Sequence, residues 1–235
     1  MIDGAFFLRR FHHSFPDLDR NDPHSVASAV TGIAAYHVAA GFDAASIPAA
    51  RAAAQGRQET TELYRIFFYD CPPLTKRVQL PVSKKALYLG GTAEAKLRLQ
   101  IHAALHATRK VAVRQGRLNE AFSAWRAKPD AVKRWIDDPK AFAPTDEDFE
   151  IDVVQKGVDM RLGLDVASMA FKQQVQRITL IAADADFVPA VKLARREGID
   201  VVLDSMGAHA APDLLQHVDG IRTAVIERLM DGPIA

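Results

Sequence analysis

The sequence predicts a three-layer α/β sandwich built on a mainly parallel central sheet, with helical insertions. Two observations carry that reading. Short apolar runs, rich in β-branched and aromatic residues and closed by breakers, recur along the chain. Segments of helical periodicity lie between them. Strands alternating with helices imply parallel crossovers, with helices on both faces of one sheet.

The first strand is expected over Met1–Leu8, where Ile2 and Phe6-Phe7 flank Asp3-Gly4. The second is Leu63–Tyr69, stopped by Asp70-Cys71-Pro72-Pro73. Val111–Arg114 is the third, ending at Gly116. Ile178–Ala182 runs into Ala183-Asp184-Ala185-Asp186, and Ile199–Leu203 follows. Gly220–Ile226 is a candidate sixth strand. Their length and flanks favour strand over buried helix.

Helical patterns separate these runs. Glu94–Arg109 carries Leu97, Leu99, Ile101 and Leu105. Asp159–Phe171 sets Met160, Leu164 and Ala167 on one stripe, widened by Leu162 and Met169. Phe187–Glu197 is closed by Gly198. Two stretches read as helical insertions in a single domain spanning residues 1–235: about 18–60, which is Ala-rich, and about 117–148, which holds Trp125 and Trp135.

Composition narrows the function classes. With 49% hydrophobic and 25% charged residues, a buried core is feasible and wholesale disorder is excluded. The net charge of +1 argues against wrapping duplex DNA, so nucleic-acid contact has to be local or metal-assisted. One cysteine, Cys71, cannot form an internal disulfide, in keeping with a reducing compartment. No apolar run reaches the ~18 residues of a membrane span, and no signal-like segment opens the chain, so the expectation is cytoplasmic.

The aspartates carry the chemistry. Asp3 sits at the first strand, Asp70 ends the second, and Asp184 and Asp186 follow the fourth. Asp159 opens the helix that leads into the fourth strand. Right-handed crossovers leave the strand C-termini on one edge, where such sheets place their sites. Singly, each acid has a local explanation, as a turn residue or an N-cap. As a set they would repel one another unless a cation sat among them. Hard oxygen ligands suit Mg²⁺ or Mn²⁺, which neutralise phosphate oxygens and activate water.

Ile2-Asp3-Gly4, Phe67-Phe68-Tyr69-Asp70, Arg114-Gln115-Gly116-Arg117-Leu118, Gln155-Lys156-Gly157-Val158-Asp159 and Ala183-Asp184-Ala185-Asp186-Phe187-Val188-Pro189 occur in that order. The series resembles the NYN domain in its bacterial LabA/DUF88-like branch, similar to PIN-domain ribonucleases. The resemblance implies a PIN-like, Rossmann-like sandwich and an acidic catalytic and metal site of Asp3, Asp159, Asp184 and Asp186. Lys156 would lie beside it and meet phosphate, and Asp70 matches a further family aspartate. Arg114 and Arg117, at the end of the third strand, are candidates for binding the same substrate. Asp165 projects roughly 120° from Asp159 on an ideal helix and is left outside the set.

The resemblance implies a Mg²⁺- or Mn²⁺-dependent endoribonuclease acting on single-stranded RNA. Alanine at 183 and 185, where relatives often carry serine or glycine, motivates an alternative: a weak or inactive module that binds RNA in a regulatory role. A small-molecule phosphatase fits less well, because Asp3 is followed by Gly4-Ala5 and not by a second acid. Neither a P-loop nor a Rossmann glycine fingerprint is present. His102 and His106 have zinc-capable spacing, but a solvated or half-buried helix face is the preferred reading. Cys71 reads as a buried thiol. Oligomeric state stays open, a homo-oligomer included.

Overall fold

The computed structural model describes residues 1–40, 61–118, 124–153 and 155–224. The expected helical content of 41–60, part of the second insertion (119–123) and the end of the sixth strand (225–226) lie outside the described residues.

The central sheet contains β1 (Ile2–Asp3), β2 (Ile66–Asp70), β5 (Val111–Gln115), β10 (Arg177–Ile181), β11 (Asp200–Asp204) and β12 (Gly220–Ile221). Their order is β12-β11-β10-β1-β2-β5, and every pairing is parallel. The α/β sandwich expected from the sequence is therefore what forms. Three short antiparallel pairs lie outside this sheet: β3 (Arg77–Gln79) with β4 (Ala86–Tyr88), β6 (Arg117–Leu118) with β9 (Gln155–Lys156), and β7 (Ala124–Ala127) with β8 (Phe149–Asp152).

One helical layer comprises α1 (Gly4–Ser14), α2 (Pro23–Ala39) and α3 (Ala93–Ala107). A short α4 (Pro129–Asp137) follows outside the layers. The other layer comprises α5 (Val158–Phe171), α6 (Val188–Arg196) and α7 (Pro212–His217). Strand β2 shows how the core divides. All five of its residues are buried. Ile66 and Phe68 pack with Phe7, Val30 and Leu105 of the first layer, whereas Phe67 and Tyr69 pack with Leu162 and Val188 of the second. A parallel strand covered on both faces needs this continuous apolar run.

Several elements differ from the sequence expectation. Only Ile2 and Asp3 of the expected Met1–Leu8 strand are extended, and Gly4 onward is helical. The Asp3 carboxylate accepts the Phe6 amide at 3.1 Å and caps α1. Phe7 and Phe11, one turn apart, then face the core. Residues 23–39, within the expected first insertion, are helical and pack into the core. Asp22 caps α2, Pro23 opens it, and Val26, Val30 and Ile33 join the first-layer core. The 117–148 stretch is not simply helical, since it contributes β6 and β7 as well as α4. Ala124–Ala127 alternates between exposed and half-buried residues, a period of two that reads as strand.

Helix α5 has a second surprise. The core takes Val158, Leu162, Val166 and Met169, while Met160, Leu164 and Phe171 stand in solvent. Both faces of this helix are apolar, so periodicity alone could not choose between them.

Candidate active site

Strands β1, β2 and β5 succeed one another in one direction across the sheet. The chain then crosses to β10, beside β1, and runs the other way through β11 and β12. The order therefore reverses between β1 and β10, which makes this a topological switch point. Crevices at such points, beyond the strand C-termini, are where open parallel sheets bind ligands. Asp3 ends β1 on one side of the crevice. Asp184 follows β10 on the other.

Local structure fixes each acid. Gly4 lets β1 turn directly into α1 against β2: a Cβ there would stand 2.6 Å from the Phe68 ring and 2.7 Å from the Tyr69 carbonyl. Asp184 accepts the Asp186 amide at 3.2 Å and caps the short turn Ala185–Phe187 ahead of α6. Gly157 adopts φ +81° at the start of α5, a left-handed conformation that places Asp159 in the first helical turn.

Asp3 senses Asp159, and Asp159 senses Asp186 and Asp184. Burial raises the Asp3 carboxyl above the ordinary carboxylate value, and repulsion from Asp159 adds to the rise. Hydrogen bonds from the backbone and the charge of Arg9 act in the opposite direction. Asp159 is raised as well, first by partial desolvation although its side chain reaches solvent, then by Asp186 and Asp184. Residues from three distant parts of the chain thus share one field of like charge.

The chemistry of this donor set, carboxylate oxygens only, suits a hard divalent cation. Among the described residues, no three acids, histidines or cysteines stand close enough to grip one ion together. Mg²⁺ is commonly held by one or two carboxylates and several waters, so a water-rich site is what this arrangement accommodates.

Other candidate residues divide. Asp70 is fully buried and committed to structure. It takes Arg98 at 2.5 Å and His102 Nε2 at 2.7 Å. Gln115 Nε2 donates to His102 Nδ1 at 3.0 Å, which leaves Nε2–H to donate to Asp70. Asp70, expected as a possible additional site acid, and His102, expected on a solvated or half-buried helix face, instead form a buried network. Cys71 beside it is buried, its thiol pushed up to about 11 chiefly by burial and then by Asp70, as expected of a structural thiol.

Arg114 donates through Nε to Asp165 at 3.0 Å and lies 5.2 Å over the Phe67 ring. The Tyr69 hydroxyl meets the same Asp165 oxygen at 3.0 Å, and burial, reinforced by Asp165, raises the phenol. Arg114 is therefore held by Asp165 and not extended toward the crevice acids as a free cation. Arg117 and Lys156 are different. They are cross-strand partners in the β6–β9 pair, both exposed, with no carboxylate partner among the described residues.

One strand-end acid was missed by the sequence reading. Asp204, at the end of β11, is fully buried and accepts from His37 Nε2 at 2.9 Å, the Met206 amide at 2.7 Å and the Ala224 amide at 3.0 Å. The rule that singled out Asp70, an acid closing an apolar strand, would have found it. Like Asp70 it locks a strand end to a helix.

A parallel α/β sandwich with paired acids at its switch point is a PIN-like architecture, the class to which many nuclease domains belong. The family model of the NYN domain matches residues 81–223, and the chain belongs to that family, within the PIN-like nuclease superfamily. The matched region holds Asp159, Asp184 and Asp186 together with Arg114, Arg117 and Lys156. Asp3 and Asp70 precede it. No curated protein and no solved structure matches the chain. No helix among the described residues is long and apolar enough to cross a membrane.

Proposed function

We propose that this chain is a Mg²⁺- or Mn²⁺-dependent ribonuclease that hydrolyses phosphodiester bonds in single-stranded RNA, with Asp3, Asp159, Asp184 and Asp186 as its metal-binding and catalytic acids. The observation that carries this reading is the placing of Asp3 at the end of β1 and of Asp184 just after β10, on either side of the switch point, in a chain of the NYN family. Clustered carboxylates in a crevice raise one another's pKa, and groups perturbed in this way mark candidate functional sites.

A bound divalent cation supplies charge neutralisation at the phosphate and at the leaving oxygen. The chain supplies the rest. Asp3, oriented through Oδ1 by the Phe6 amide, is the acid that takes a proton from an attacking water. Lys156 and Arg117, opposed across β6 and β9, hold the RNA backbone. Like charges directly opposite on neighbouring strands are unfavourable unless an anion lies between them. Their modest number, with the net charge of +1, suits one strand better than a duplex.

A second reading has its own support. Ala183 and Ala185 pack against the core and offer no hydroxyl to the crevice. In that reading the domain binds RNA in a regulatory role without cleaving it.

The decisive assay incubates labelled single-stranded RNA with metal-stripped protein, with and without Mn²⁺. Cleavage that requires Mn²⁺ and disappears in Asp184→Asn supports the nuclease. Equal cleavage in both tubes, or full activity in the variant, removes the mechanism. Metal-independent binding without turnover selects the regulatory module.

A further inference from the structure

The connection between β2 and α3 folds into a ribbon with two unlike faces. In the β3–β4 pair Arg77 stands opposite Tyr88, and Gln79 opposite Ala86. These four residues are exposed, while Val78 and Leu87, which alternate with them, are half-buried. Residues 71–93 hold four cations, Lys76, Arg77, Lys84 and Lys85, and no acid, in a chain whose net charge is +1. Arg77 has no carboxylate partner among the described residues. Tyr88 is held in place and still open. Its ring lies against Gly90 and Gly91. A Cβ on Gly90 would stand 2.7 Å from the Tyr88 hydroxyl and 2.8 Å from Cζ, and one on Gly91 would stand 3.1 Å from Cδ1. Any side chain at Gly90 would push the ring aside, yet Tyr88 remains 51% exposed. The tip of the ribbon is fixed as well. Asp146 accepts the Val82 and Ser83 amides at 2.9 and 3.1 Å, and the Trp125 indole donates to the Gln79 carbonyl at 2.8 Å. Such ties matter, because a two-stranded hairpin alone is barely stable in water.

We propose that this ribbon is a further contact for single-stranded RNA, with Tyr88 stacking a base and Arg77 holding a neighbouring phosphate. This rests on the RNA-binding part of the function proposed above, and not on cleavage. Topology sets the ribbon on the edge where the acids are. It leaves β2 after Asp70, and β2 pairs in parallel with β1, which ends at Asp3. β6, which carries Arg117, leaves β5 at that same edge. Charge and shape select the occupant. A guanidinium and an aromatic ring stand on one face, directly opposite each other, with Cβ atoms roughly 5 Å apart. A single strand presents the matching pair, a phosphate beside an unstacked base, and base–aromatic stacking accepts any sequence. A duplex could meet the cations but keeps its base faces covered, which leaves the ring unused. An apolar partner could cover the ring but would leave the cations without an anion.

Fluorescence anisotropy of the full chain with a labelled single-stranded RNA of about 12 nucleotides, in chelator so that nothing is cleaved, tests it. Tyr88→Ala should weaken binding by roughly fivefold or more and leave its salt dependence unchanged, because stacking releases no counterions. Tyr88→Phe should bind like the parent. Arg77→Ala should flatten the salt dependence by about one phosphate contact. An abasic strand of equal length should not distinguish Tyr88→Ala from the parent. Should Tyr88→Ala fail to fold, photo-cross-linking of the parent to RNA carrying 4-thiouridine decides: a cross-link on the peptide holding Tyr88 supports the contact, and its absence there rejects it. Parent-like affinity and salt slope in both Tyr88→Ala and Arg77→Ala overturn the proposal, and if Lys156→Ala still weakens binding, the RNA-binding reading survives without the ribbon. Tyr88-dependent binding with no turnover in Mn²⁺ upholds the ribbon and removes the nuclease instead. A parent that binds no single strand overturns the proposal, as does equal use of Tyr88 on a duplex. Anionic vesicles bound through Tyr88 and Arg77, with RNA affinity unchanged in either variant, would assign the ribbon to a membrane surface and overturn it too.

Discussion

The carboxylate of Asp3, at the end of the first strand, is repelled by that of Asp159, in the first turn of α5. Asp159 in turn is repelled by Asp186 and Asp184. That chain of like charges crosses the sheet's switch point and adds to the burial that chiefly raises both acids.

Relieving it should stabilise the metal-free protein. Both acids are raised above 3.8 in the folded state. Folding therefore favours their protonated forms. Their contribution is full below the unfolded value and is lost as pH rises through the raised folded values. In chelator, Asp159→Asn should melt above the parent at neutral pH, and the gap should close below pH 3.8. A variant that melts lower at every pH would contradict the repulsion.

Divalent cation should produce the same relief by binding. Mn²⁺ or Mg²⁺ added to stripped parent protein should raise its melting temperature, since a ligand that binds only the folded state stabilises it. The rise should shrink in Asp184→Asn and in Asp159→Asn. Calorimetric scans with and without metal read the difference directly.

Asp70 should behave in the opposite way. In Asp70→Ala the Arg98 guanidinium loses its counter-charge and His102 Nε2–H loses its acceptor. Breaking a buried pair of this kind costs about 3 kcal/mol or more, measurable by urea unfolding. The molecules that remain folded should keep their metal response, which separates this aspartate from Asp159.

Gly4→Ala should damage site and fold together. The added methyl would meet the Phe68 ring and the Tyr69 carbonyl within 3 Å. Overpacking of this sort costs about 1–3 kcal/mol. Because Asp3 precedes it directly, metal affinity should fall as well, to be read from the same calorimetric shift.

The basic residues should separate by role. Lys156→Ala with Arg117→Ala should weaken RNA binding across sequences and flatten its salt dependence by about two phosphate contacts. Arg114→Ala should mainly lower stability, since its guanidinium is tied to Asp165 and Phe67. Fluorescence anisotropy over a salt series, beside a melting curve for each variant, distinguishes the two.

The alternation of β-branched runs with helical segments determined the sandwich, because burial on both faces of a parallel strand demands an unbroken apolar stretch that is visible in one dimension. The same logic placed acids at strand ends, and the order of the motifs carried the family. Three matters needed the folded chain. Phe6-Phe7 could have extended a strand, and the capping bond from Asp3 to Phe6 made them helix. Asp70 and Asp159 look alike as residues, and only the positions of Arg98 and His102 made one structural while Asp159 stayed among like charges. On α5 two apolar stripes satisfy the same periodicity, and packing against the sheet decided which is core. Sequence pattern records local preference and burial tendency. Which partner a side chain meets is set by chain crossovers that bring distant residues together, and that information exists only in three dimensions.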